Sequence, residues 1–201
     1  MNKNSFVILF LIIGLNCFSQ RYRDFEVGPS ISYAHTSLYL SQNVFDSGES
    51  DSFTNSGFEP NYAVGIYAIY YLLPKAGFGA ELYWQRTSAS DLSDNEHYNS
   101  LTFMPYVNFD PFNQIENVLF GAGIGASFIQ NAPDYGNVLE RDIRVITIPA
   151  KLSVSYRVRN QFTFEISAQA EVLEVVRDQV RRNSILLGFK VPFNRVFGNY
   201  R

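Results

Sequence analysis

Polar and apolar residues alternate one by one along most of the chain after residue 20. The clearest run covers residues 161–172, where the odd positions are polar and the even positions are apolar. A period of two places the two sets on opposite faces of a β-strand. Strands of soluble proteins usually have about 5–6 residues, whereas a tilted strand that crosses a membrane needs about 9–11. The length of this run therefore predicts a membrane-spanning strand.

Seven further segments show the same alternation or an apolar run of similar length. They cover residues 25–33, 62–73, 78–85, 101–109, 118–128, 146–156 and 184–194. The segment 62–73 is apolar on both faces and is the least regular of them. Together with 161–172, these segments predict eight strands, and bacterial outer-membrane barrels have an even number of strands.

The connections between these segments alternate in length. Four are long and polar, at about 41–60, 87–97, 130–142 and 173–183, and three are short, at 73–77, 110–117 and 157–161. Outer-membrane barrels have short periplasmic turns and long external loops, and in lipid the first and last strands must pair. We therefore predict an all-β fold, an eight-stranded antiparallel up-and-down transmembrane β-barrel with both termini on the periplasmic side. Pro29, Pro105, Pro149 and Pro192 predict bulges or strand ends.

The first 19 residues have the layout of a secretory signal peptide. Lys3 is followed by an apolar run over residues 5–15 and a short polar end, and we predict cleavage after Ser19. The alternative is cleavage before Cys17 with acylation of that cysteine, but Leu15-Asn16 matches that processing signal poorly. The expected domains are a signal peptide over 1–19 and an outer-membrane β-barrel domain over 20–201.

Composition narrows the function classes. The formal net charge of -3 offers no basic surface for nucleic acid. Aromatic residues make up 16% of the chain, which suits the aromatic girdles of a membrane barrel. Two histidines and no cysteine in the mature chain are too few for a zinc site. We predict no metal, no cofactor and no catalytic residues.

The two faces of the predicted strands have different chemistry. The inward face carries charged residues that we expect to form a lumen charge network, namely Glu81, Lys151, Glu165, Glu171 and Lys190. The outward face is apolar, and its lipid-facing residues include Phe162, Phe164, Ile166, Ile185, Leu187 and Phe189. Buried charges persist only when paired, and an eight-stranded barrel is narrow enough to be filled. We therefore predict a filled lumen, with a soluble lipocalin-like barrel of reversed faces as the alternative fold.

The segment Arg144–Val158, which contains Ile148-Pro149-Ala150-Lys151-Leu152, resembles the Bacteroidetes outer-membrane β-barrel domain family, including the PorT-like proteins and OmpA-like eight-stranded barrels. Leu101–Tyr106 and the glycine-rich Gly121–Gly125 are similar to other strands of that family, and the leader ending Phe18-Ser19-Gln20 is similar to leaders of that phylum. The resemblance implies an eight-stranded outer-membrane barrel and carries no catalytic residue.

The expected function is a structural or interaction module of the outer membrane, such as a secretion-system or surface component. Its expected partners are outer-membrane lipids, including lipopolysaccharide, and proteins of the cell envelope. Alternatives are a small porin or transporter, and a lipid A acyl-modifying enzyme that would use His35 and Ser37 as base and nucleophile. Arg177, Arg181 and Arg182 are expected at a charged rim, where lipopolysaccharide phosphates are potential contacts.

Overall fold

The computed structural model describes most of the predicted barrel. The described residues are 25–41, 53–55, 59–73, 76–88, 97–110, 117–130, 144–158, 161–173, 175 and 180–193. The predicted signal peptide, its cleavage site and Cys17 lie outside these ranges. In the described part, no helix is long and apolar enough to cross a bilayer.

Eleven β-strands are present in the described residues. They are β1 (Phe25–Ser41), β2 (Phe53–Asn55), β3 (Glu59–Leu73), β4 (Ala76–Ser88), β5 (His97–Phe109), β6 (Val118–Ile124), β7 (Ala126–Ile129), β8 (Ile146–Thr147), β9 (Pro149–Val158), β10 (Phe162–Glu171) and β11 (Val180–Lys190). β6 and β7 keep one register against β5, and β8 and β9 likewise continue one another, so each pair occupies a single position in the sheet.

The sheet closes on itself. Each of the eight barrel positions pairs antiparallel with the next one, and the last strand, β11, pairs with β1 over Ser30–Leu40. The ring runs β1, β3, β4, β5, β6/β7, β8/β9, β10 and β11, and β4–β5 pairing completes it. Closure gives every barrel strand two partners, so no barrel edge is left open. The predicted eight-stranded antiparallel up-and-down barrel is confirmed.

One end of the barrel extends beyond the prediction. The sequence pattern predicts a first strand over residues 25–33 and a connection over about 41–60, but β1 runs to Ser41. The last residues of β1 pair with β11 on one side and with β2 on the other, for example Leu40 with Val180 and Ser41 with Phe53. This extension lies at the barrel end that carries the long connections. The start of β1 lies at the other barrel end.

The prolines interrupt the sheet less than expected. Pro149 follows a one-residue break at Ile148, and Pro192 lies just after β11, so strand ends at these two positions are confirmed. Pro29 and Pro105 lie inside continuous strands without a register shift there. Each strand residue directs its N–H toward one neighbour only, so a proline removes a bond from one ladder and spares the other.

Inward tyrosines fill the barrel by lying against glycines of neighbouring strands. Gly65 pairs with Tyr83 and Gly79 pairs with Tyr106. A Cβ at Gly65 would lie 2.6 Å from Cβ of Tyr83, and one at Gly79 would lie 2.5 Å from Cζ of Tyr106. The glycines therefore make room for large rings inside a narrow barrel. Inward aromatic residues such as Tyr67 also explain why residues 62–73 look apolar on both faces.

Candidate functional site

Four charged side chains form a closed ring of ion pairs inside the barrel. Lys151 Nζ lies 2.7 Å from Glu165 Oε1 and 3.0 Å from Glu81 Oε2. Lys190 Nζ lies 2.7 Å from Glu165 Oε2 and 3.4 Å from Glu81 Oε2. Each lysine thus contacts both glutamates, and all four side chains are buried. We call these four residues the lumen quartet.

The lumen quartet is electrically balanced and further supported by its surroundings. Ser155 donates a hydrogen bond to Glu165 Oε2 at 3.3 Å. Lys190 Nζ lies 5.2 Å from the ring centre of Tyr106 and 5.6 Å from that of Tyr67. Removing a charge from water is costly, and only close opposite charges and hydrogen bonds offset that cost. Two cations and two anions in mutual contact meet this requirement.

Glu171, which we predicted as a fifth member of this network, lies apart from the quartet and pairs with Arg182. Ala170 of β10 lies directly opposite Asn183 of β11. In the same register, Glu171 lies opposite Arg182. The Arg182 guanidinium also donates hydrogen bonds to Ser100 at 3.0 Å, Ser127 at 3.3 Å and Thr87 at 3.4 Å. These contacts tie four strands together across the lumen, and Arg182 is 1% exposed.

The placement of Arg182 corrects the sequence prediction. We expected it in the connection 173–183, at a charged rim with Arg177 and Arg181. β11 begins at Val180 and turns Arg182 inward, while Arg181 remains outward and exposed. Arg177 lies outside the described residues. Arg182 is separated from Ser184 and from Lys190 by even numbers of residues, so all three lie on the same face of the strand. The alternation in the sequence therefore did indicate an inward Arg182.

A second ion pair missed by the sequence prediction lies near the short connections. Arg157 Nη2 is 3.0 Å from Glu26 Oε1, and its guanidinium lies 4.9 Å from the ring centre of Tyr71. Tyr71 also packs in a buried cluster with Ile69 and Leu119. We had assigned Arg157 to a turn, but its side chain covers this end of the interior.

At the opposite end, a residue of the β10–β11 connection covers the interior. Val175 is fully buried and packs in a cluster with Tyr98 and Ile129. Its carbonyl accepts a hydrogen bond from the Arg144 amide at 2.8 Å. Side chains and connection residues therefore close both ends of the described lumen.

A cavity of about 10 Å³ lies beside the lumen quartet, which is room for about one water molecule. Its lining includes Ser30, Ser32, Tyr83 and two members of the quartet. Side chains thus fill most of the space around the lumen quartet.

The outer surface is a continuous apolar belt. Among the six residues predicted to face lipid, Phe164, Ile166, Ile185 and Leu187 are exposed, whereas Phe162 and Phe189 are partly covered by each other, with ring centres 5.2 Å apart. In the described strands, the charged side chains on this face are Arg86 and Arg181, both toward the long connections. We call this surface, between those two arginines and the short connections, the outer belt.

The other sequence candidates have ordinary surroundings. His35 Nε2 lies 2.9 Å from the hydroxyl of Tyr33, and Ser37 is buried. No group of three His, Cys, Asp or Glu side chains in the described residues is arranged to hold a metal ion.

No protein-family model matches the chain, and no curated protein matches its sequence. Solved structures do match. Neisserial surface protein A (NspA) is 16% identical, with a TM-score of 0.51 over 84% of this chain and 97% of that one. Ail, the attachment invasion locus protein of Yersinia pestis, is 13% identical with a TM-score of 0.47, covering 84% and 98%. The outer membrane protein OprG of Pseudomonas aeruginosa is 10% identical with a TM-score of 0.40, covering 83% and 96%.

The similarity to NspA agrees with the strand pairing described above. Both observations define the class of this protein as a small, closed, antiparallel β-barrel of eight strands.

Proposed function

We propose that the chain is an outer-membrane β-barrel protein that acts as a structural or interaction module and presents its long connections to the outside. The observation that carries the membrane location is the outer belt. Its exposed residues include Ile66, Leu152, Ile166 and Leu187, each more than half exposed. Such a large exposed apolar surface is rare on soluble proteins, and hydrocarbon is the environment that stabilises it. A lipocalin-like barrel would instead turn its apolar face inward.

The buried ion pairs inside the barrel support a module with a filled lumen rather than a pore. The lumen quartet and the Arg182–Glu171 pair lie in the path that a solute would take through the barrel. A conducting channel would require these buried ion pairs to separate, and breaking a buried pair costs about 3–5 kcal/mol.

We also propose that the chain is a Bacteroidetes barrel of the PorT-like kind, exported by a signal peptide cleaved after Ser19. The Ile148-Pro149 motif of that resemblance lies at the start of β9, and Gly121 and Gly123 lie in β6, close to side chains of neighbouring strands. N-terminal sequencing of the mature protein tests the cleavage site, and an N-terminus at Gln20 is expected.

The membrane location and the filled lumen are tested together with the mature protein. We expect it to fractionate with outer membranes and to migrate differently on detergent gels before and after heating. In planar bilayers we expect no large, stable conductance steps, with a conducting porin as the positive control. A protein that stays monodisperse in buffer without detergent would contradict the membrane location. Large single-channel steps would contradict the filled lumen.

A further inference from the structure

Six outward side chains form a polar, aromatic patch at the long-connection edge of the outer belt. They belong to four neighbouring strands, β1, β3, β4 and β5, and we call them the rim patch: Tyr33, His35, Tyr62, Trp84, Arg86 and Asn99. Trp84 is the single tryptophan of the chain.

The rings of the rim patch lie on directly paired positions or in contact with one another. Tyr33 of β1 is directly opposite Tyr62 of β3, and the Tyr62 ring centre lies 5.6 Å from that of Trp84 in β4. The hydroxyl of Tyr33 lies 2.9 Å from His35 Nε2, and their ring centres are 5.2 Å apart. Tyr33 and Tyr62 are 49% and 44% exposed, so their faces are accessible from outside.

A cation and an unsatisfied amide oxygen lie beside these rings. The pairing of Ala63 with Gln85 places the next residues, Tyr62 and Arg86, side by side on the outer face. Arg86 is directly opposite Asn99 of β5, and Asn99 Oδ1 is buried without a hydrogen-bond partner in the structure. Among the described carboxylates, none forms an ion pair with Arg86.

The rim patch occupies one side of the barrel. In the described strands, outward tyrosine and tryptophan side chains toward this edge belong to β1, β3 and β4. The opposite wall has Phe128 of β7, Ile146 of β8 and Ala170 of β10 there, with polar residues that include Gln130 and Arg181. An ordinary interfacial girdle surrounds the whole barrel with aromatic residues. The one-sided placement points to a specific neighbour rather than to a general anchor.

We propose that the rim patch binds the phosphorylated sugar headgroup of a glycolipid in the outer leaflet. The inference rests on the proposed outer-membrane location. A guanidinium binds phosphate with paired hydrogen bonds, which suits Arg86. The C–H faces of a sugar fit the electron-rich faces of Tyr33, Tyr62 and Trp84. Sugar hydroxyls can exchange hydrogen bonds with the hydroxyls of the exposed Tyr33 and Tyr62. A simple phospholipid offers the phosphate but lacks the sugar that would cover three rings.

The single tryptophan gives a direct test. The mature protein is placed in nanodiscs of phosphatidylcholine, and lipid A is titrated in while the Trp84 emission is recorded. Phosphatidylglycerol at the same total lipid charge is the comparison. We expect a saturable change with lipid A that phosphatidylglycerol does not produce. Arg86→Gln should weaken the apparent lipid A affinity about 5- to 10-fold, and Asn99→Ala should weaken it less.

Arg181→Gln is the matched control, because Arg181 is the other outward arginine of the described strands and lies outside the rim patch. It should leave the lipid A titration unchanged. Equal responses to both lipids, or an unchanged titration for Arg86→Gln, would overturn the inference while the membrane location stands. Failure of the wild-type protein to enter nanodiscs would overturn both the membrane location and this inference.

Discussion

The ring of Tyr106 on β5 lies against Gly79 on β4, where the two residues are directly opposed in the sheet. Tyr106 also faces Gly123 on its other side, where a Cβ would lie 2.8 Å from Cβ of Tyr106. A large ring therefore fits inside the barrel because two neighbours have no side chain. Tyr83 likewise lies opposite Gly65 on one side, with Thr102 opposite it on the other.

Gly79→Ala should destabilise the barrel by about 1–3 kcal/mol, because the added methyl group would overlap the Tyr106 ring. The free energy of unfolding can be measured with urea in detergent, followed by Trp84 fluorescence. The double variant Gly79→Ala with Tyr106→Leu should lose less than the sum of its two single variants, since the smaller side chain removes the overlap. Strict additivity would contradict the close packing.

Lys190→Met should destabilise the barrel by about 3–5 kcal/mol, because Glu81 and Glu165 would then share a single cation, Lys151. Adding Glu165→Gln restores the charge balance of the lumen quartet. The double variant should therefore regain part of the lost unfolding free energy in the same urea assay. A double variant as unstable as the sum of its two single variants would show that the four charges do not act as one unit.

Ile166→Arg should cost about 2–4 kcal/mol of unfolding free energy in a bilayer, because the charge would replace an apolar side chain in the middle of the outer belt. Gln130→Arg, at the exposed residue that follows β7, is the control and should change stability by no more than about 0.5 kcal/mol. Urea unfolding from lipid vesicles, followed on detergent gels, measures both. Equal effects at the two positions would contradict a lipid-facing belt.

Val175→Cys, in a Cys17→Ser background, should react with a maleimide at least about tenfold more slowly than Gln130→Cys in the folded protein. Val175 is fully buried over the lumen, whereas Gln130 is exposed, and a buried thiol reacts only when its segment opens. In urea the two thiols should react at the same rate, which controls for intrinsic reactivity. Equal rates in the folded protein would show that Val175 does not cover the lumen.

The sequence was most informative where the two faces differ in polarity. Residues 161–172 alternate without exception, and β10 (Phe162–Glu171) matches the predicted strand closely. Strand pairing follows from the same pattern, because a one-residue slip would turn every charged side chain toward the outside. The prediction was least clear for β3, where inward Tyr67 and Ile69 are as apolar as the outward residues.

The partners of the interior charges were harder to predict than their phase. From the sequence alone, a polar residue near a strand end cannot be assigned to the rim or to the lumen. Arg182 and Arg157 were assigned to connections for this reason, and Glu171 was grouped with the lumen quartet. Only the register of β10 against β11 distinguishes the pair Glu171–Arg182 from that group. Register depends on the whole closed barrel and was not available from any single segment.

The lumen quartet joins distant parts of the chain. Glu81 belongs to β4, whereas Lys151, Glu165 and Lys190 come from the last three barrel positions. If only the last three barrel positions were inserted, Lys151, Glu165 and Lys190 would face lipid without the carboxylate of Glu81. Such an intermediate is strongly disfavoured in hydrocarbon. Insertion and closure of this barrel should therefore be concerted, and assembly should proceed with few long-lived partly folded species.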